Sequence, residues 1–250
     1  MSPALRPGSV RVRVLVISMK TATERRRTFV HAAPEDDRWA FFDAHTSLHP
    51  DLIYDADDIR RTHGRALTAG ELGCYSSHFA IWTDLAAQDD VDAVIVLEDD
   101  VIADWIFLEK LAQSDLSGID YLRLYQKRPT RFRVLRQGFI ERTKSLVRQY
   151  GFAFGTQGYY ISKTGAAAMI EATRHVTAPI DDIMDRSWQH GIATHCIFPF
   201  PLIERSVPSD IGAERFANDR RAAGSLRYRL NRQANKLRYY VGLAKFVAGK

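Results

Sequence analysis

At 250 residues, with 46% hydrophobic and 26% charged side chains, the chain has ordinary globular composition and enough length for a sizeable core. Its formal net charge of +5 is modest, and apolar runs such as Val14 to Ile17 and Ala93 to Leu97 fall far short of the ~20 residues a membrane span needs. The N-terminus makes a poor signal peptide and the two cysteines, Cys74 and Cys196, build no disulfide framework, so an unprocessed cytoplasmic protein is expected.

Residues 12 to 20, VRVLVISMK, are short, apolar and β-branched, which predicts a buried strand. Thr21 or Thr23 then offers a helix N-cap, with Glu24 in the first turn. Residues 40 to 48 suggest a second short strand. Residues 67 to 88 open with a tight turn at Gly70 to Gly73 and become a helix periodic in Cys74, His78, Ile81, Trp82 and Leu85. VDAVIVLEDD, residues 91 to 100, is an apolar strand ending in three carboxylates. Residues 119 to 126 read as another strand, and the stretch to Ile161 as hairpin material ending in a strand from Gly158. Ser162 caps a further helix, Pro179 opens a short one, and Pro199 and Pro201 argue that the extended segment around them is an edge. The pattern predicts one α/β domain over residues 10 to 212 and a basic, amphipathic helical extension over 213 to 250.

In an α/β sheet, ligands collect outside the carboxyl ends of the strands, which draws attention to Glu98, Asp99 and Asp100. Were the strand to continue, Glu98 and Asp100 would share a side and hold a hard divalent cation; a solvated acidic turn is the other reading. His195 is a third candidate ligand, and His78, one helical turn from Trp82, a candidate pocket residue or a satisfied buried histidine. Gly155 and Gly158 stand where backbone can approach a ligand, or where a turn enters a strand. Asp181, Asp182 and Asp185 follow Pro179, and any of them can serve as a base or as helix N-terminal acid. In the tail, Leu226, Leu230, Ala234, Leu237, Val241 and Ala244 recur at helical spacing with arginines and lysines between them. Such a helix suits an anionic membrane surface, or docks on the domain with its charges solvated.

Together and in order, VLVISMKTATERRRTF, GELGCYSSHFAIW, VIVLEDDV, GTQGYYISKTGAAAM and PIDD resemble the family 25 glycosyltransferases, which include bacterial lipooligosaccharide galactosyltransferases and collagen galactosyltransferases. The resemblance spans roughly residues 12 to 210. It implies a GT-A-type nucleotide-sugar-binding fold with a central mixed, mostly parallel sheet flanked by helices. It also implies a hexosyl transfer, expected to be of galactose from UDP-galactose, with Mn (or Mg), to a saccharide or glycolipid acceptor in lipopolysaccharide biosynthesis. By the same resemblance LEDD stands at the DxD-type motif: Asp100 is the chief metal ligand, and Glu98 and Asp99 touch metal, ribose or sugar. Arg25 and Arg26 match the family's arginine pair facing the donor, and Asp181 the position of base or acceptor binding. Ser18, Met19, Thr21 and Ala22 stand where the family has an Asn-Leu pair followed by Arg-Ser, and by that position Ser18 is a donor-binding candidate. Two other classes compete: a metal-dependent phosphoesterase using the acidic triplet, and a nucleic-acid-binding protein using the basic tail. The chain has no recognisable nucleic-acid module, so no nucleic-acid partner is expected.

Overall fold

The computed structural model describes residues 11–205 and 226–248. Its centre is an eight-stranded mixed sheet. The strands are β1 (Val12–Ser18), β2 (Trp39–Asp43), β3 (Ala93–Glu98), β5 (Tyr121–Arg123), β6 (Arg131–Gln137), β7 (Ser145–Tyr150), β8 (Gly158–Ser162) and β9 (His195–Phe198), in the spatial order β2-β1-β3-β8-β5-β9-β7-β6. Six run one way; β8 and β7 are reversed. A two-stranded antiparallel ribbon pairs β4 (Val101–Ala103) with β10 (Leu202–Glu204).

β3 is apolar throughout because both its faces are covered. Ala93, Ile95 and Leu97 join one core with Phe29, Phe107, Leu108 and Leu111, from helices α1 (Thr23–Ala32) and α4 (Trp105–Ala112). Val94 and Val96 join the other core, with Phe79, Trp82 and Leu85 of α3 (Ala69–Ala87) and Met169 of α5 (Lys163–Thr173). Alternation along the strand sends successive side chains to opposite layers, and the paired layers remove a continuous run from water. Three short helices complete the domain: α2 (Ala56–Thr62), α6 (Ile180–Ile183) and α7 (Ser187–His190). Helix α8 (Leu226–Ala248) packs against α7, and no helix among the described residues is long and apolar enough to cross a membrane. The boundary expected near residue 212 lies outside the described residues.

Several local expectations are corrected. No turn forms at Gly70–Gly73, because α3 already starts at Ala69. Thr68 caps it: its hydroxyl accepts from the Glu71 N–H at 3.1 Å, while the Glu71 carboxylate accepts from the Thr68 N–H at 2.9 Å. Gly73 is needed for close approach, since a Cβ there would meet the His45 carbonyl oxygen of a neighbouring loop. At α1 the cap position falls on Ala22, and no side chain caps the helix. Finally, β9 is interior, between β5 and β7, because Pro199 and Pro201 come after its last paired residue. The Ser162 cap of α5 is as expected, its hydroxyl accepting from the Gly165 N–H at 3.0 Å.

Candidate functional site

β3 ends at Glu98, and the next two residues form the turn into β4, so the three carboxylates leave the sheet in different directions. Asp99 turns inward and is 1% exposed. Its Oδ2 accepts from the Ser18 hydroxyl at 2.6 Å, and its Oδ1 takes the Arg25 guanidinium, whose Nε lies at 3.0 Å. Both oxygens are thus engaged within the protein. Ser18, Arg25 and Asp99 form a brace between the ends of β1 and β3 and the first turn of α1. Arg26 ties the same corner: its Nη2 donates to the Ser18 carbonyl at 2.8 Å, pairs with Asp43, and its guanidinium stacks on Phe41 at 4.7 Å.

Asp100 is different. Its Oδ1 is buried without a hydrogen-bond partner. Burial, then the neighbouring Asp99 and Glu204 carboxylates, hold its pKa above the usual carboxylate range, against the pull of Arg25 and Lys127. Glu98 is also raised, first by burial and next by Asp100, although it accepts a hydrogen bond from the Thr156 hydroxyl. A desolvated carboxyl raised further by its neighbour's charge is what a divalent cation relieves, so the unsatisfied Asp100 oxygen, with Glu98 within electrostatic reach, fits a hard metal. A cavity of about 180 Å³ opens there, lined by Glu24, Arg25, Thr28, Asp99, Asp100 and Arg205. It adjoins one of about 330 Å³, lined by Met19, Thr21, Ala22, Thr23, Glu24 and Arg25, over the uncapped start of α1.

The remaining candidates separate. His78 is fully buried: its Nδ1 lies 2.9 Å from the Tyr159 hydroxyl, which accepts from Trp82 Nε1 at 3.0 Å. Burial holds its pKa down at about 3, so the ring is neutral. With Cys74 and Glu98 it forms a group whose ligand atoms lie within 4.8 Å of one another, a second set of metal-capable atoms that shares Glu98 with the first. His195 does not join either set. It stands on β9, three strands from β3, about 14 Å away at the usual strand spacing.

Asp181, 8% exposed, accepts a long bond from the Gly155 N–H at 3.4 Å, and the next residue, Thr156, binds Glu98. The base candidate and the acidic strand end therefore flank one turn. Gly155 is required in that turn by its φ of 78°. Gly158 serves packing instead, since a Cβ there would overlap Leu202 Cδ1 and crowd Leu97 Cδ2. Asp185 is structural, accepting from the Ala153 and Phe154 N–H groups at 2.8 and 2.9 Å and pairing with the buried Arg123 at 2.8 Å. Asp182 pairs with Arg186 at 3.1 Å.

Sequence reasoning missed Thr156, Arg123, Arg205 and the buried Arg65–Glu71 pair, in which two N–H groups meet two carboxylate oxygens at 2.7 Å. Arg65 lies six residues before its partner, and an arginine just ahead of a capping-box glutamate was the available signal. GELGCYSSH is in large part a clamp: Glu71 fixes the start of α3, Gly73 admits the His45 carbonyl, and the Ser77 and Ser76 hydroxyls each accept, at 2.9 Å, from the His45 and His49 N–H groups.

A family model described as glycosyltransferase family 25 (LPS biosynthesis protein) matches residues 12–184. The chain belongs to glycosyltransferase family 25. Among curated relatives, a glycosyltransferase 25 family member of Drosophila pseudoobscura pseudoobscura is 30% identical over 126 residues, covering 49% of this chain and 20% of the relative. Procollagen galactosyltransferase 1 of Danio rerio is 33% identical over 121 residues, covering 44% and 18%. A probable inactive glycosyltransferase 25 family member 3 of Rattus norvegicus is 31% identical over 130 residues, covering 48% and 22%. The chain spans about a fifth of the length of these relatives. Among solved structures, a Drosophila β-1,4-galactosyltransferase 7 complex with manganese, UDP-Gal and xylobiose has 9% identity and a TM-score of 0.38, over 83% of this chain and 79% of that one. The family 25 assignment covers the strand ends, the LEDD turn and the Asp181 region alike.

Proposed function

We propose that this chain transfers a hexose, galactose first among candidates, from a nucleotide sugar to a saccharide acceptor in the assembly of a lipopolysaccharide-type glycolipid, using a GT-A-type fold. The observation that carries the reading is Asp100, whose buried Oδ1 lacks a partner in a cavity that also presents Arg25 and Arg205. Asp100 and Glu98 would hold Mn or Mg, which when bound supplies Lewis acidity toward the leaving diphosphate. The adjoining cavity over the start of α1 suits that diphosphate, because it lies at the positive end of the helix dipole, where no side chain caps the helix. The Ser18–Arg25–Asp99 brace fixes the two strand ends relative to each other, so the cavity walls need no rearrangement as negative charge develops. Asp181, across the Gly155–Thr156 turn, takes the proton of the attacking hydroxyl if the reaction inverts. The relatives named procollagen galactosyltransferase favour galactose. Helix α8 lies peripherally on an anionic membrane at the cytoplasmic face, where a glycolipid acceptor would be presented.

The test is release of UDP from UDP-galactose with Mn and a lipooligosaccharide acceptor. UDP should appear only with acceptor present, stop on chelation, and fall by about 10²–10³ in Asp100→Ala, the loss typical of removing one preorganised charge contact. Turnover indifferent to both chelator and Asp100→Ala would refute the reading.

A further inference from the structure

Helix α8 docks by an unexpected side. Tyr239 is 1% exposed, its ring 3.8 Å from that of Phe152 and 4.8 Å from that of Trp188, and Gly242 lies so close to Trp188 that a Cβ there would meet the indole ring. At about 100° per residue, Leu230, Ala234, Leu237, Val241 and Ala244 fall within an arc of about 80° centred opposite Tyr239. All five are exposed, Leu230 at 60%, Leu237 at 66% and Val241 at 46%. Lys236 flanks this stripe on one side, Arg238 and Lys245 on the other, and all three are exposed. An apolar stripe turned away from the core and edged with cations is the layout of a helix lying in a bilayer interface.

A second basic element lies beside it. Residues 127–148, the β6–β7 hairpin with its approach, hold eight lysines and arginines against the single acid Glu141, which pairs with Lys110 at 2.7 Å. Every residue of β6 is exposed. Arg133 stands directly opposite Arg148 in the ladder, a like-charged cross-strand pair that destabilises a hairpin. Among the described residues no acid pairs with Arg131, Arg133 or Arg148, and Arg148 Nη2 is buried without a partner. The face bearing this pair is the one α8 covers, since the Arg148 guanidinium sits 5.7 Å from the Phe246 ring. Arg131 and Arg133, two residues apart on β6, therefore rise from the sheet on the side where α8 lies.

We propose that Arg131 and Arg133 of β6 and the outer face of α8 form one docking surface for an anionic phospholipid bilayer. The helix inserts its apolar stripe at the headgroup level, and the hairpin arginines bind lipid phosphates; this rests on the membrane reading given above for α8 and adds a second, independent contact. A bilayer fits better than a second copy of the chain, because two such cationic faces repel. Alone, either element gives weak, reversible attachment; together they also fix the orientation of the domain.

Flotation with vesicles of phosphatidylglycerol and phosphatidylcholine tests it, against pure phosphatidylcholine. Arg131→Gln/Arg133→Gln should bind the anionic vesicles roughly 30-fold more weakly, as expected for two cations near such a surface, while its urea midpoint stays level or rises because the Arg133–Arg148 repulsion is gone. If that variant floats like the unmodified chain while Leu237→Ser/Val241→Ser does not, the hairpin contact is overturned and the helix contact stands. If the unmodified chain does not float either, both fall. A dimer that dissociates on Leu237→Ser/Val241→Ser without any vesicle binding also overturns the proposal, in favour of a second copy.

Discussion

Removing the Asp185 carboxylate should unfold much of what positions the Gly155–Thr156 turn. Asp185 and Arg123 are 0% and 2% exposed at their side chains and 2.8 Å apart. In Asp185→Ala the arginine keeps a charge it cannot solvate, a defect worth about 3–5 kcal/mol when one partner of a buried pair is deleted. The Ala153 and Phe154 N–H groups also lose their acceptor, at about 1–3 kcal/mol each if left unsatisfied. These losses overlap, so about 4–6 kcal/mol in total is expected, a large part of the ~5–15 kcal/mol typical of a folded chain. Urea unfolding followed by tryptophan fluorescence measures it. Asp185→Asn, which keeps an acceptor for the backbone, should lose about 3 kcal/mol. Arg123→Met in the Asp185→Leu background should recover part of the loss, because no lone charge remains. A change below about 1 kcal/mol in Asp185→Ala would mean that the pair is solvated, and the reasoning would be wrong.

Burial holds His190 at a pKa of about 4, so its folded form resists protonation. Its contribution is complete above the unfolded value near 6.5 and is lost as pH falls toward 4; between pH 7 and 5 the unmodified chain should lose about 2 kcal/mol that His190→Gln does not. Parallel urea curves for the two proteins at both pH values would contradict this. Gly158→Ala drives a methyl into Leu202 and should lower stability by about 1–3 kcal/mol, seen as a lower thermal midpoint; an unchanged midpoint would show that β10 yields freely. Gly242→Val should lift α8 off Trp188, exposing the indole and speeding proteolysis within 226–248 while leaving manganese-dependent UDP-galactose binding intact. Unaltered tryptophan emission would argue against that contact.

The framework was legible where local pattern and tertiary packing agree. An unbroken apolar run ending in carboxylates announced β3 as a strand covered on both faces, with its charges at a carboxyl end. The fates of those carboxylates were hidden because their partners are distant in sequence. Asp99 depends on Ser18 and Arg25, 81 and 74 residues away, and Glu98 on Thr156, 58 residues away. His78, one helical turn from Trp82, could be read as a pocket residue or as a buried histidine, and its full burial beside Tyr159 decides for the second. The apolar stripe of α8 was readable as a period, but the side that docks was not, because Tyr239 and Gly242 owe their contacts to shape against Trp188 and Phe152. The basic excess of residues 127–148 was countable in the sequence, and only its placement beside α8 gives it meaning.

Manganese-dependent binding of UDP-galactose, followed by calorimetry, tests the role of Asp100 most directly. The unmodified chain should bind the nucleotide sugar tightly with Mn and weakly with chelator. Asp100→Asn should lose the manganese effect while Asp185→Asn, where folded, retains it. Equal affinity with and without Mn, or a manganese effect that survives Asp100→Asn, would contradict the assignment of the metal to the end of β3.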